Sequence, residues 1–160
     1  MQSKKSGDVP PANQIWYDAA SQVTLYTSTW VTSHTFSNGR GVVTFDRDIT
    51  NISYHWLRTT PVTTVYLPNT ITRTTTYAFS NCKSLKSIAF PAGMVTINSN
   101  CLSGCSKLTT VIIHATTPPQ IYTTTFPAGA NFYVPANSVD AYKAADIWST
   151  YASRIFAIPE

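Results

Sequence analysis

The side chains that could serve acid–base or metal chemistry are few and widely separated in this sequence. Its three histidines, His34, His55 and His114, lie far apart along the chain. Asp46 and Asp48 lie two positions apart, but two carboxylates fall short of the roughly six to eight oxygen ligands that Ca²⁺ takes. A turn role is the better interpretation for these two aspartates. The pattern therefore predicts neither general acid–base catalysis by histidine nor a calcium site.

The sequence also lacks the residue patterns of other kinds of catalysis. Glycoside hydrolysis needs two converging carboxylic acids, and none of the seven acidic residues is placed convincingly for it. No nucleophile elbow, phosphate-binding loop or His-Glu-x-x-His motif occurs. We therefore expect no catalytic residue, no metal site, no cofactor and no enzymatic activity.

The three cysteines, Cys82, Cys101 and Cys105, point to packing. An odd number argues against a simple disulfide framework. Cys101 and Cys105 have C-x3-C spacing without a second pair, which makes zinc binding a weak hypothesis. We interpret all three as small, buried, apolar residues.

Composition predicts a folded, mostly β protein. Hydrophobic residues make up 43% of the 160 residues and charged residues only 11%, so a core can form. The 25 threonines favour strands because their side chains are stiff at χ1. The net charge of +4 comes from scattered basic residues, so we expect no nucleic-acid binding. No apolar run reaches the roughly 18 residues of a transmembrane helix.

A period in the low twenties organises the middle of the chain. Val65 is followed by Ile88 and Val111 at steps of 23 residues, and Val43 precedes Val65 by 22. Leucine-rich-repeat solenoids have periods of this length. One copy of the repeat, which we call a rung, cannot bury its apolar residues alone, whereas stacked rungs form one core. Cys82 and Cys105 occupy the same rung position, so we expect them to be neighbours.

The repeat resembles that of a known family. The segments YAFSNCKSLKSIAFP (77–91) and CLSGCSKLTTVIIHATTPP (101–119) are similar to the leucine-rich repeat of BspA-like bacterial surface proteins. Segments near both ends also resemble the terminal units of Bacteroides-type members, so the resemblance covers nearly the whole chain from residue 10. It implies a β-rich α/β solenoid of about three to four rungs of 22–23 residues, and it implies adhesion to a host matrix or another cell.

We expect the ends of the solenoid to be capped, because bare rung ends would expose apolar surface. Residues 1–10 form a flexible tail, and residues 11–160 form one domain. Within it we assign 11–42 to a β-rich N-terminal cap, with a turn at Ser37–Gly41, and 43–126 to the repeats. Residues 127–160 form a C-terminal cap, with a helix near 138–154 that begins at Asn137 as its N-cap.

The outward positions of the repeat strands form the candidate ligand-binding face. These positions belong to three rungs, and most carry hydroxyl groups. They are Thr63, Thr64, Tyr66, Lys86, Ser87, Ala89, Thr109, Thr110 and Ile112. Solenoid sheets bind partners on such faces, although a merely solvated sheet is an equally good interpretation.

The leading hypothesis is a non-enzymatic binding or adhesion module at the cell surface or outside the cell. Its partner would be a host or bacterial surface protein or a glycan. The first residues of the chain are polar and include no apolar signal region, and this pattern favours a tether that leads into the domain. We expect an outer-membrane lipoprotein whose lipid anchor lies upstream of the given chain. The alternative is a structural or decoration protein of a phage virion, with virion proteins as partners.

Overall fold

The computed structural model describes residues 9–25, 30–53 and 56–160. These ranges contain ten β-strands, one α-helix and two 3₁₀ helices. The strands are β1 (Gln14–Asp18), β2 (Val31–Ser37), β3 (Arg40–Phe45), β4 (Asn51–Ile52), β5 (Thr64–Tyr66), β6 (Arg73–Thr74), β7 (Ser87–Phe90), β8 (Thr110–Ile113), β9 (Asn131–Val134) and β10 (Ile155–Ala157). The helices are the 3₁₀ helix Ala136–Ser138, α1 (Val139–Ala144) and the 3₁₀ helix Trp148–Arg154.

Eight strands form one sheet in the order β10-β9-β8-β7-β5-β1-β3-β2. The strands from β5 to β10 pair in parallel, whereas β1 runs antiparallel to both of its neighbours and β2 runs antiparallel to β3. On the side of each rung opposite the large sheet, β4 pairs in parallel with β6. Single bridges continue this second set of pairs to Thr96 and Gln120, and we call the whole set the ladder. One cluster of buried apolar residues forms the core. The result is a solenoid with a broad sheet and a narrow ladder.

The register of the parallel strands confirms the period. Val65 lies opposite Ile88, and Ile88 lies opposite Val111, so the 23-residue step brings equivalent side chains together. All three are at most 1% exposed. The next step is shorter than the 22–23 residues we expected, because Val111 lies opposite Phe132, 21 residues on. β9 and β10 thus continue the parallel sheet within the segment 127–160 that we assigned to the C-terminal cap.

The strand of the first predicted rung is displaced from the repeat. We expected Val43 to stack on Val65, but β1 lies between β3 and β5. Ile15 of β1 faces Val43, and Tyr17 faces Val65. β1 can fill this place because Ile15 and Tyr17 are buried and alternate with half-buried residues. On the ladder side the stacking is direct, since Asn51 of β4 pairs with the residue 22 positions later.

The turn predicted at Ser37–Gly41 is present, and it joins β2 to β3. Its two central residues, Asn38 and Gly39, have φ angles of 51° and 78°. Two consecutive positive φ angles define the two-residue hairpin turn that suits twisted strands, and Asn-Gly is its preferred sequence.

The single helix predicted near 138–154 is wrong. Its α-helical part ends at Ala144, because Ala145 is extended and Ile147 has a φ of 60°. A continuous helix would place Trp148 roughly 120° around the axis from Tyr142. The break lets both aromatic rings reach the core, where each is at most 1% exposed.

The predicted N-cap of this helix is also wrong. Ser138 occupies the N-cap position of α1, and Asn137 lies in the preceding 3₁₀ helix. Two buried aromatic side chains of this segment bond to the backbone of the preceding coil. Tyr142 donates its hydroxyl to the Ala115 carbonyl at 2.8 Å, and the Trp148 indole donates to the Pro119 carbonyl at 2.8 Å.

Candidate binding face

Two rows of outward side chains cross the large sheet, and together they form what we call the open face. The first, the apolar row, consists of Val42, Trp16, Tyr66, Ala89, Ile112, Tyr133 and Phe156, in spatial order. The second, the polar row, consists of Arg40, Asp18, Thr64, Ser87, Thr110 and Asn131. Each row takes one residue from each successive strand, because strand pairing is in register.

All nine predicted binding residues lie on or beside this face. Tyr66, Ala89 and Ile112 belong to the apolar row, and Thr64, Ser87 and Thr110 belong to the polar row. The remaining three, Thr63, Lys86 and Thr109, precede their strands and are joined by backbone hydrogen bonds. The Lys86 amide donates to the Thr63 carbonyl at 3.0 Å, and the Thr109 amide donates to the Lys86 carbonyl at 3.1 Å.

Asp18 is the centre of a polar network on the face. Its Oδ1 lies 3.0 Å from Nε of Arg40, and its Oδ2 accepts the hydroxyl of Tyr66 at 2.8 Å. The side chains of Asp18 and Arg40 are only 14% and 17% exposed. Burial alone would lower the pKa of Arg40, but the hydrogen bond and charge of Asp18 raise it. Burial, and next the bond to Asp18, raise the pKa of Tyr66. Arg40 is therefore a neutralised cation.

Aromatic rings hold this network from both sides. The guanidinium carbon of Arg40 lies 4.4 Å from the ring centroid of Tyr66 and 5.7 Å from that of Trp16. Both distances fall within the range of cation–π attraction. The Trp16 indole donates in turn to Gln14 Oε1 at 2.8 Å. Trp16 and Tyr66 are thus fixed in orientation while still partly accessible.

A groove of about 570 Å³ lies in the middle of the face. Its lining includes Tyr66, Ala89 and Ile112 of the apolar row. Its further lining residues are Val9, Pro10, Thr64, Val65, Leu67, Asn69, Ser87, Ile88, Pro91 and His114. A volume in this range is typical of sites for small ligands.

Those residues considered for chemistry that the structure describes are not assembled into a centre. His34 is half-buried on β2, with its Nε2 2.7 Å from the hydroxyl of Tyr17, and His114 is exposed at the end of β8. His55 lies outside the described residues. Asp46 forms an exposed ion pair with its neighbour Arg47. In the part of the chain that the structure describes, no group of three or more His, Cys, Asp or Glu side chains is placed to hold a metal ion.

The cysteines are packed into the rungs as free thiols. Cys82 donates to the Leu57 carbonyl at 2.9 Å, and Cys105 donates to the Phe79 carbonyl at 3.1 Å, so both reach the backbone of the preceding rung. Burial raises the pKa of Cys101 to about 12, which leaves that thiol protonated at neutral pH. Their role is structural.

Some residues of the face were missed from the sequence. Asp18, Arg40 and Trp16 enter it only because β1 is inserted beside β5. Tyr133 and Phe156 lie beyond the predicted repeats, where their rings contact at 5.8 Å. The sequence Asn-Phe-Tyr-Val at 131–134, with apolar residues two positions apart at Phe132 and Val134, was the available signal for Tyr133.

A parallel sheet with one strand per rung and a ladder on the return side defines a leucine-rich-repeat solenoid. The family model for the BspA type leucine rich repeat region matches residues 20–131 with six copies. The chain belongs to this family, as the repeat predicted. A comparison with curated proteins gave no match. Among the described residues, none of the helices has the length and apolar character needed to cross a membrane.

Proposed function

We propose that this protein is a non-enzymatic binding and adhesion module that contacts a protein or glycan partner through its open face. The apolar row is the observation that carries the proposal. It places Trp16, Tyr66, Tyr133 and Phe156 on the outward side of a sheet whose other side is the core. Membership of the family supports the same conclusion, since its repeats generally serve in protein interaction or at surfaces.

The face is suited to binding because it is prepared in advance. Parallel strands hold the backbone, and the Asp18 network holds Tyr66 and Arg40. Side chains that are already ordered lose little rotamer entropy when a partner binds. Aromatic anchors of this kind carry a large share of interface energy.

We place the protein at the cell surface, as an outer-membrane lipoprotein whose lipid anchor lies upstream of the given chain. Fractionation of the source cells, followed by mass spectrometry of the native N-terminus, tests this placement. An acylated cysteine upstream of residue 1 is the expected result. A mature N-terminus without lipid, recovered from the cytoplasm, would contradict it.

Binding is tested by surface plasmon resonance against immobilised extracellular-matrix proteins and glycans. A double variant, Tyr66→Ala with Tyr133→Ala, removes two anchors, and Val95→Ala is the control because Val95 is 52% exposed beside the ladder. We expect at least one partner whose affinity falls about tenfold or more in the double variant and stays unchanged in the control. Equal affinity of all three proteins for every partner would refute the role of this face.

A further inference from the structure

The open face has an unusual balance of chemistry, with aromatic rings and hydroxyl groups but almost no net charge. Asp18 and Arg40 neutralise each other, and Lys86 lies at the margin, just before β7. The rest of the polar row supplies the hydroxyl groups of Thr64, Ser87 and Thr110. A partner that fits this surface needs apolar patches and many hydroxyl groups, and it needs no charge.

We infer that the partner is a neutral glycan whose chain lies across the strands along the apolar row. This inference rests on the proposed function and names the ligand class of the same face. Sugar rings present C–H groups on their faces and hydroxyl groups at their edges. The C–H faces pack on aromatic rings, and the edge hydroxyls exchange hydrogen bonds with Ser and Thr side chains.

The spacing of the anchors suits an elongated chain. Trp16 and Tyr66 lie on neighbouring strands at one end of the row, and Tyr133 and Phe156 lie on neighbouring strands at the other. β5 and β9 are three strand spacings apart, or about 14 Å. The strand spacing is close to the length of one sugar unit in an extended chain, so successive units can meet equivalent positions on successive rungs.

The groove between the two aromatic pairs is a depression in which sugar rings can lie. Ala89, the smallest residue of the apolar row, lines it between Tyr66 and Ile112. Its volume of about 570 Å³ suits a short stretch of sugar rings. Asn69 and His114, which also line it, add polar groups for hydroxyl recognition.

Two alternatives fit the face less well. An acidic polymer would need several free cations, but the guanidinium of Arg40 is occupied by Asp18, and the exposed Lys86 at the margin adds a single charge. A protein partner would be expected to meet a compact cluster of anchors in the centre of an interface. Here the aromatic residues are split into two pairs, with Ala89 and Ile112 between them.

Isothermal titration calorimetry with neutral hexasaccharides (cellohexaose, mannohexaose and xylohexaose) and the acidic hexamer of galacturonic acid tests the inference. We expect at least one neutral hexasaccharide to bind and the acidic hexamer to bind at least about tenfold more weakly. Tyr66→Ala and Tyr133→Ala should each weaken binding about tenfold, whereas Val95→Ala, beside the ladder, should stay within about twofold of the wild type.

A matched pair of charge insertions locates the site. Ala89→Glu places a carboxylate in the groove and should abolish binding. Val95→Glu places the same group beside the ladder, where Val95 is 52% exposed, and should leave binding unchanged. Circular dichroism and thermal melts establish that each variant is folded, and Tyr133→Ala provides a second measurement of the site's location if Ala89→Glu is not.

The outcomes separate this inference from the proposed function. If immobilised proteins bind the wild type but not Ala89→Glu, and no hexasaccharide binds at millimolar concentration, the glycan inference fails and the binding module stands. Hexasaccharide binding that is equal in Ala89→Glu and the wild type would also overturn it, because the ligand would then lie elsewhere. Absence of binding to every glycan and every protein would contradict both the glycan inference and the proposed function.

Discussion

Tyr66 donates its hydroxyl to Oδ2 of Asp18 at 2.8 Å, and this bond joins the first repeat strand to the strand inserted beside it. Arg40 on β3 completes the junction through its own bond to Asp18. Three neighbouring strands, of which β1 runs opposite to β3 and β5, are thereby tied together on the open face. Because the ion pair is mostly shielded from water, removing one of its partners costs more than it would in a fully exposed pair.

Removal of the Tyr66 hydroxyl should weaken this junction. In Tyr66→Phe the ring remains, but Asp18 loses one of its two side-chain partners. We expect the free energy of unfolding to fall by about 1 kcal/mol, measured by urea denaturation. Tyr133→Phe is the matched control on the same face, since the Tyr133 ring contacts Phe156 and no hydrogen bond of its hydroxyl is seen in the described part of the chain. Equal losses in the two variants would show that the bond to Asp18 adds nothing.

Gly104 should not tolerate a side chain. Its φ is +74°, and a Cβ there would meet Oδ1 of Asn81 in the preceding rung, so the Asn81 side chain would have to shift. Both the backbone strain and the clash act against Gly104→Ala, so we expect a loss of about 1–3 kcal/mol in the free energy of unfolding.

Gly129→Ala is the control for this substitution, because a Cβ at Gly129 meets nothing within 4 Å. It should leave stability unchanged within about 0.5 kcal/mol. Thermal or urea unfolding of the two variants side by side measures the difference. A Gly104→Ala protein as stable as Gly129→Ala would contradict the geometry of the rung turn.

The repeat could be predicted from the sequence because it depends on the spacing of apolar residues along the chain. The 23-residue step from Val65 to Ile88 and Val111 sets the register, and the alternation around it sets the buried side. The place of β1 could not be predicted in this way. Its alternation says that one side is buried, but any strand with that pattern could fill the gap, and the choice is made by tertiary packing.

The same contrast between local sequence pattern and tertiary packing explains which residues of the binding face could be predicted. Thr64, Ser87 and Thr110 follow directly from their rung positions. Asp18 and Arg40 are 22 residues apart in sequence and meet only because β1 and β3 pair. The end of α1 likewise depends on Trp148, whose indole bonds to a carbonyl 29 residues away.

Thr59 offers a stabilising substitution. It occupies the same turn position as Asn81 and Gly104 in the next two rungs, and all three have a positive φ, at 59°, 59° and 74°. A β-branched residue is strained in this region, whereas asparagine adopts it readily. We expect Thr59→Asn to raise the free energy of unfolding by about 0.5–1 kcal/mol. Thr124→Asn, at an exposed threonine without a positive φ, is the control and should change little. A loss of stability at position 59 greater than that at 124 would show that the Thr59 hydroxyl, which donates to the Arg58 carbonyl, outweighs the strain.

The stability of the protein should fall in mild acid because of His34. Burial lowers the pKa of His34 below its ordinary value of 6.5. The unfolded chain therefore takes up this proton at a higher pH than the folded protein does. The stabilisation is fully present above about pH 6.5 and is lost as the pH falls from there through the lower pKa of the folded state.

The contact between His34 and Tyr17 explains this loss of stability in acid. The Tyr17 hydroxyl accepts the Val23 amide at 3.2 Å and lies 2.7 Å from Nε2 of His34. In the neutral tautomer of His34 that carries its proton on Nδ1, Tyr17 donates to Nε2. Protonation of His34 removes this acceptor. Urea denaturation between about pH 7.5 and pH 5 should show a decrease in the free energy of unfolding that is steeper for the wild type than for His34→Gln, which offers a neutral acceptor at every pH. Parallel curves for the two proteins would show that the acid sensitivity arises from other groups and not from the contact between His34 and Tyr17.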